Sequence, residues 1–168
     1  MKIRDVRTHV LRYELSDAEV FGSSKGFRRD RQALLVEITT DEGLSGFGEA
    51  HGGPALAQPL VERYYGPRLI GKDPLDQAVI WHDLYGPSHR AGPALSAIDV
   101  ALWDLKGKAL NLPVYQLLGG SFRRQVRAYA TGLFHRPVPD NARALAEEAA
   151  GYVAEGFRAM KMKVGFGV

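Results

Sequence analysis

Two lysines set one residue apart, Lys161 and Lys163, close the stretch Gly156-Phe157-Arg158-Ala159-Met160-Lys161-Met162-Lys163-Val164-Gly165. Alternate side chains of a β-strand share a face. Ala159, Lys161 and Lys163 therefore point one way, and Met160, Met162 and Val164 the other. The apolar face suits packing against helices. Neighbouring ammonium groups repel, and a lysine that can give up its proton near neutral pH is a usable general base. A solvated edge strand carrying protective lysines would read the same way. The pair alone is too short to separate the two.

Two other residues could touch a ligand. Ser16 to Asp30 reads as a mobile loop, with Gly22-Ser23-Ser24 and Gly26 among polar residues and Phe21 and Phe27 inside it. Aromatic residues on a loop anchor it to the body or close over a ligand. Ala50-His51-Gly52-Gly53-Pro54 offers a histidine flanked by glycine, the pattern of a surface residue as much as of a binding one.

Composition narrows the classes. The chain has 168 residues, room for one ordinary domain or a small domain plus part of another. The net charge of +3 is small, and Arg28-Arg29-Asp30-Arg31 and Arg123-Arg124 are isolated clusters without interleaved aromatics. That argues against nucleic-acid binding. No cysteine is present, which removes disulfides and thiolate metal sites. The start lacks an apolar targeting core and no run approaches membrane-spanning length, so a cytoplasmic protein is expected.

The elements that must position these residues follow in order. Ile3 to Leu15 reads as a strand whose parity shifts near Val10, as a bulge would cause. Gln32 to Thr40 places Leu34, Val36 and Ile38 on one face; Asp41-Glu42-Gly43 turns, and Leu44 to Ala50 returns as a glycine-rich strand. The result is a three-stranded antiparallel meander. Helices are expected over Gln58–Tyr65, from the Asp73-Pro74 cap to Tyr85, and over Pro93–Leu110. The last carries an apolar stripe of Leu95, Ile98, Leu102, Leu105 and Ala109. Pro113 opens a short helix that Gly119-Gly120 closes. A strand over Gln125–Thr131, a helix over Asn141–Glu155 capped by Asp140 and stopped by Gly156, and the lysine strand then make a parallel βαβ unit.

The run Ser96-Ala97-Ile98-Asp99-Val100-Ala101-Leu102-Trp103-Asp104-Leu105-Lys106-Gly107-Lys108-Ala109, followed by Leu112-Pro113-Val114-Tyr115-Gln116-Leu117-Leu118-Gly119-Gly120, closely resembles the mandelate racemase/muconate lactonizing enzyme family of the enolase superfamily. Val126-Arg127-Ala128-Tyr129-Ala130 and Lys161-Met162-Lys163 fall where that family carries its first barrel strand and its Lys-x-Lys motif. The resemblance covers essentially the whole chain, in order. It implies an α+β capping domain over residues 1–123 joined to the start of a (β/α)8 TIM-like barrel over residues 124–168, its first strand-helix-strand. Catalytic groups of such barrels lie at the C-terminal ends of strands.

By the same resemblance, Lys163 abstracts the proton α to a carboxylate, and Lys161 supports it and the substrate carboxylate. The superfamily pairs such a base with Mg²⁺, a Lewis acid for the developing enediolate. Phe21 and His51 would stand on the two capping loops that close on substrate. A small-molecule carboxylate, no nucleic acid, no membrane and a homo-oligomeric assembly are implied. Racemase, epimerase or cycloisomerase chemistry is favoured over acid-sugar dehydration. A non-catalytic folding or association unit is the reading from another class.

The family's metal ligands are expected at the ends of the third, fourth and fifth barrel strands, and its partner acid/base later. These positions fall beyond Val168, so no metal ligand is assigned here, and Glu49, Asp99 and Asp104 read as capping-domain structure. The chain is therefore expected to be a truncated part that neither binds Mg²⁺ tightly nor turns over substrate by itself.

Overall fold

Strict alternation in one strand organises the first half of the molecule. In a computed structural model that describes residues 1–85 and 92–165, Leu34, Val36 and Ile38 are completely buried while the residues between them are only half-buried. They lie on β4 (Asp30–Thr40), the middle strand of a three-stranded sheet. Its neighbours are β1 (Ile3–Glu14) and β5 (Ser45–Ala50). The Asp41-Glu42-Gly43 turn is tight because Gly43 takes the left-handed conformation (φ 85°), which glycine adopts without a Cβ penalty. β4 and β5 run antiparallel, with Val36 opposite Gly48 and Ile38 opposite Gly46.

Those two glycines explain how the longest helix sits. A Cβ on Gly48 would strike the backbone carbonyl of Ala97 and come within 2.9 Å of Ala101 N; one on Gly46 would lie 2.6 Å from Leu105 Cβ. Helix α4 (Gly92–Leu110) therefore lies directly on β5. Its buried face is Leu95, Ile98, Leu102 and Leu105, as the periodicity predicts, joined by Ala94, Ala97 and Ala101, whose small side chains permit the approach. Ala109 departs from the predicted stripe. It is exposed in the last turn, where the chain is already folding back through Leu112 N–H to Gly107 C=O at 2.9 Å.

Between these elements lie α1 (Pro54–Leu60), a wide π turn (Val61–Tyr65), α2 (Gly66–Leu69), and a 3-10 turn (Pro74–Asp76) leading into α3 (Gln77–Tyr85). The helix predicted over Gln58–Tyr65 starts earlier, because Pro54 occupies the first turn where its missing N–H costs nothing. Asp73 caps as predicted, accepting Leu75 N–H at 3.0 Å. α5 (Val114–Leu117) ends at Gly119 and Gly120, both at positive φ.

The chain divides into two compact units, Met1–Arg12 with Gln32–Phe122, and Tyr13–Arg31 with the described residues from Arg123 onward. The second unit contains a hairpin where a loop is predicted. β2 (Phe21–Ser23) pairs antiparallel with β3 (Gly26–Arg28), Gly22 opposite Phe27. Gly26 at φ 96° closes its turn. The hairpin ladder is continued by a backbone bridge from Gly22 to His135, a partner that no local pattern announces.

The same unit holds the βαβ. β6 (Ala130–Thr131) and β7 (Met160–Lys161) are parallel, connected by α6 (Asn141–Ala154). Asp140 caps α6 by accepting Arg143 N–H at 3.0 Å, and Gly156 at φ 93° ends it. The strand predicted from Gln125 begins only at Ala130: residues 125–129 are exposed and outside the ladder. The face expected against helices is covered only in part, since Met160 is half-buried while Met162 and Val164 are exposed.

Candidate active site

The parallel ladder places the ends of β6 and β7 side by side. Gly132 N–H donates to Lys161 C=O at 3.3 Å, and Lys163 N–H donates to Leu133 C=O at 3.2 Å. The residues after β6 are thereby tied to the lysine strand. Lys161 is exposed. Lys163 is half-buried, and its Nζ lies 5.9 Å from the centroid of the Phe134 ring, within reach of a cation–π contact.

Phe134 also meets Phe21. The two rings pack edge to face with centroids 5.0 Å apart, and the Arg31 guanidinium covers the Phe21 ring at 4.6 Å. The order Lys163, Phe134, Phe21, Arg31 is thus a cation, two aromatic rings and a second cation. The hairpin is fixed to the same segment by its backbone, as Gly22 N–H donates to His135 C=O at 2.6 Å. Phe27 packs on the His135 ring at 5.2 Å.

A carboxylate holds this segment from behind. Glu148, on α6, accepts Leu133 N–H at 3.1 Å, the Tyr152 hydroxyl at 2.8 Å and the Arg136 guanidinium at 2.6 Å. Burial pushes its carboxyl upward most strongly, but the bonds from Leu133, Tyr152 and Arg136 together outweigh burial and hold it below the usual carboxylate range. The bond to Glu148 pushes the Tyr152 phenol up in turn. Leu133 takes a left-handed backbone (φ 54°), uncommon for a side-chain-bearing residue and sustained here by bonds at both its N–H and its C=O. Gly132 leaves room for the network: a Cβ there would come within 2.6 Å of Glu148 Oε1 and meet the Tyr152 hydroxyl.

Phe21, Gly132, Phe134, Arg136, Glu148 and Tyr152 line a cavity of about 360 Å³ within the second unit; Lys161 and Lys163 are not among its lining residues. Its walls carry the Tyr13, Thr131 and Tyr152 hydroxyls, the Arg31 and Arg136 guanidiniums, and the Phe21 and Phe134 rings. Glu19 also faces it. The hydroxyl and N–H of Ser16 hold its carboxyl below the ordinary range, and its own bond raises the Tyr13 phenol. The two guanidiniums are matched by the Glu19 and Glu148 carboxylates, and with the hydroxyls this lining suits a polar, hydroxyl-bearing ligand better than an apolar one.

Of the four residues singled out from sequence, Phe21 and Lys163 meet through Phe134, and Lys161 joins them through its backbone. His51 belongs to the other unit, exposed at the edge of a cavity of about 220 Å³ lined by Leu56, Leu60, Pro93 and Ala94. Sequence reasoning missed Phe134, Arg136, Glu148 and Tyr152. The spacing of Glu148 and Tyr152, one turn apart on α6, was the only signal. Among the described residues, no three His, Asp or Glu side chains converge as a metal site. None of the described helices is long and apolar enough to cross a membrane.

Residues 14–119 match the family model described as the mandelate racemase / muconate lactonizing enzyme N-terminal domain. The chain is 45% identical to a D-galactarolactone cycloisomerase of Agrobacterium fabrum over 100% of its own length and 45% of that protein. An arabinonate dehydratase of Saccharolobus solfataricus is 35% identical over 97% of this chain and 46% of the relative. Among solved structures, a 3,6-anhydro-D-galactonate cycloisomerase from Zobellia galactanivorans superposes with a TM-score of 0.83 at 37% identity, covering 99% of this chain and 44% of that one. A dipeptide epimerase from Enterococcus faecalis, complexed with Mg and a dipeptide, gives 0.82 at 33% identity over 99% of this chain and 47% of that one. The chain spans less than half the length of these relatives.

Proposed function

The chain belongs to the mandelate racemase / muconate lactonizing enzyme family, and from that premise we propose that it supplies the general base and part of the substrate enclosure of a full-length enzyme acting on a small carboxylate. Lys163 Nζ takes the proton α to the carboxylate, and Lys161 lies beside it to stabilise negative charge. Phe21 and His51 stand on the segments that enclose the substrate. The observation that carries this reading is the position of Lys163: half-buried, over the Phe134 ring against which the Phe21 hairpin also packs. A base needs such a shielded position within reach of substrate.

The reaction we favour is cycloisomerisation or epimerisation of a sugar acid, with the 45% identity to a D-galactarolactone cycloisomerase in its support. Dehydration of a sugar acid is the second reading, supported by the likeness to an arabinonate dehydratase. Both begin with the same proton abstraction. A divalent cation such as Mg²⁺ would act as Lewis acid on the carboxylate. The described residues offer no cluster to hold it, so its ligands are proposed to come from other parts of the full-length protein. Self-association and a cytoplasmic location belong to the same proposal.

Incubating the full-length protein with Mg²⁺ and, separately, D-galactarolactone, 3,6-anhydro-D-galactonate and arabinonate in deuterated buffer tests it. Solvent deuterium is expected in at least one. It enters at the α-carbon where the α-proton is replaced, and at the adjacent carbon where loss of a β-oxygen substituent turns the α-carbon into a ketone. Ring opening or water loss tells the two readings apart. No incorporation into any of the three would overturn the sugar-acid assignment.

A further inference from the structure

Among the described residues, Phe134 is a point where the Lys163 side chain and the Phe21 hairpin meet, and neither role explains it. Its backbone neighbours are fastened on both sides. Leu133 C=O receives Lys163 N–H, while His135 C=O receives Gly22 N–H from the hairpin. Leu133 N–H is held by Glu148 and Arg136 N–H by the Asn141 side chain at 2.8 Å. With the main chain clamped on both flanks, the freedom left to Phe134 is in its side-chain torsions, and two contacts among the described residues bear on the ring. One is Lys163 Nζ, the other Phe21.

We propose that Phe134 is a positioning residue: docking of the Phe21 hairpin fixes the Phe134 ring, and the ring in turn fixes the Lys163 side chain over its face. In the resting state this is the ammonium, which loses its proton to solvent before the amine acts as base. The negative face of the ring attracts the ammonium, whereas its edge does not. An edge-to-face contact at 62° to Phe21 holds the Phe134 ring in its present orientation. When the hairpin is undocked, the ring is free to turn, and the ammonium loses its resting place. Arg31, with its guanidinium 4.6 Å from the Phe21 ring centroid, adds a second contact at the hairpin's end. Enclosure of substrate and placement of the base thus become one event rather than two. This inference uses the assignment of Lys163 as base, but its geometry can be tested without activity.

The full-length protein is reductively methylated with [¹³C]formaldehyde, and the Lys163 resonance is identified by its loss in Lys163→Arg. A ring face shifts a nearby methylammonium upfield. Both Phe134→Leu and Phe21→Leu are expected to return the Lys163 resonance to the position of a solvated lysine, although Phe21 does not itself cover Lys163. Phe134→Tyr, which keeps the ring, should preserve the shift. If Phe21→Leu leaves the resonance in place, coupling through the ring is refuted; if Phe134→Leu leaves it in place, the ring contact itself is refuted. Melting curves of each variant separate these outcomes from misfolding. In α-proton exchange, Phe134→Leu should lower kcat roughly 3- to 30-fold at nearly constant KM, with rescue by Phe134→Tyr. A rise in KM with kcat kept would contradict the positioning role. Absence of exchange in the wild type would leave the resonance test standing, and would count against the base assignment alone.

Discussion

Glu148 accepts the backbone N–H of Leu133 at 3.1 Å, so one carboxylate on α6 fixes the segment that carries Phe134. Its folded-state carboxyl lies below its ordinary value of 4.5. A depressed carboxyl contributes stability above the unfolded value, and that contribution fades as the pH falls through the folded one. Glu148→Gln is therefore expected to cost about 1 kcal/mol at pH 7, a modest figure because its partner Arg136 is 41% exposed. The difference from wild type should shrink below pH 4.5. Urea titrations at pH 7 and pH 3.5 check it; an undiminished difference at the lower pH would contradict the linkage.

Close contact between β5 and α4 gives a steric prediction. Gly48→Ala puts a methyl group against the Ala97 carbonyl and Ala101 nitrogen, backbone atoms that cannot turn aside. A loss of about 3 kcal/mol is expected. Gly53→Ala, at φ −74° with open space around it, should stay within about 0.5 kcal/mol of wild type. Equal effects of the two changes in denaturant titrations would show that the helix is not seated on the glycine strand.

Most of the first unit was legible in the sequence because its signals are local. Leu34, Val36 and Ile38 alternate, Gly43 marks a turn, and Asp73 marks a helix start. The βαβ unit is legible in the same way, from Asp140, Gly156 and the lysine strand, and the family resemblance adds the barrel and the roles of the lysines. What remained hidden depends on partners far along the chain. The hairpin of Phe21 and Phe27 looks like a loop because its composition is glycine and serine, and its anchor is His135. Glu148 reads as an ordinary helix-surface acid until Leu133 turns its N–H toward it. Residues 125–129 carry a strand pattern, yet a strand also needs a neighbour to bond with, and the ladder starts only at Ala130.

Metal dependence is the next expectation. In the full-length protein, chelation should abolish α-proton exchange and added Mg²⁺ should restore it, since the enediolate's charge needs a Lewis acid. Residues 1–168 alone should show no tight stoichiometric uptake of Mg²⁺ by calorimetry, because no acidic cluster converges among the described residues. Tight one-to-one binding by this chain would contradict that division.

The base assignment is tested most directly by solvent deuterium exchange in the full-length Lys163→Ala protein, with Mg²⁺ and the substrate that the wild type labels. Loss of the α-proton, read as solvent deuterium entering substrate or product, should fall by on the order of 10²- to 10⁴-fold while the melting temperature holds. Lys161→Ala should retain measurable exchange. Full exchange in Lys163→Ala would contradict the account and remove this lysine from the chemistry.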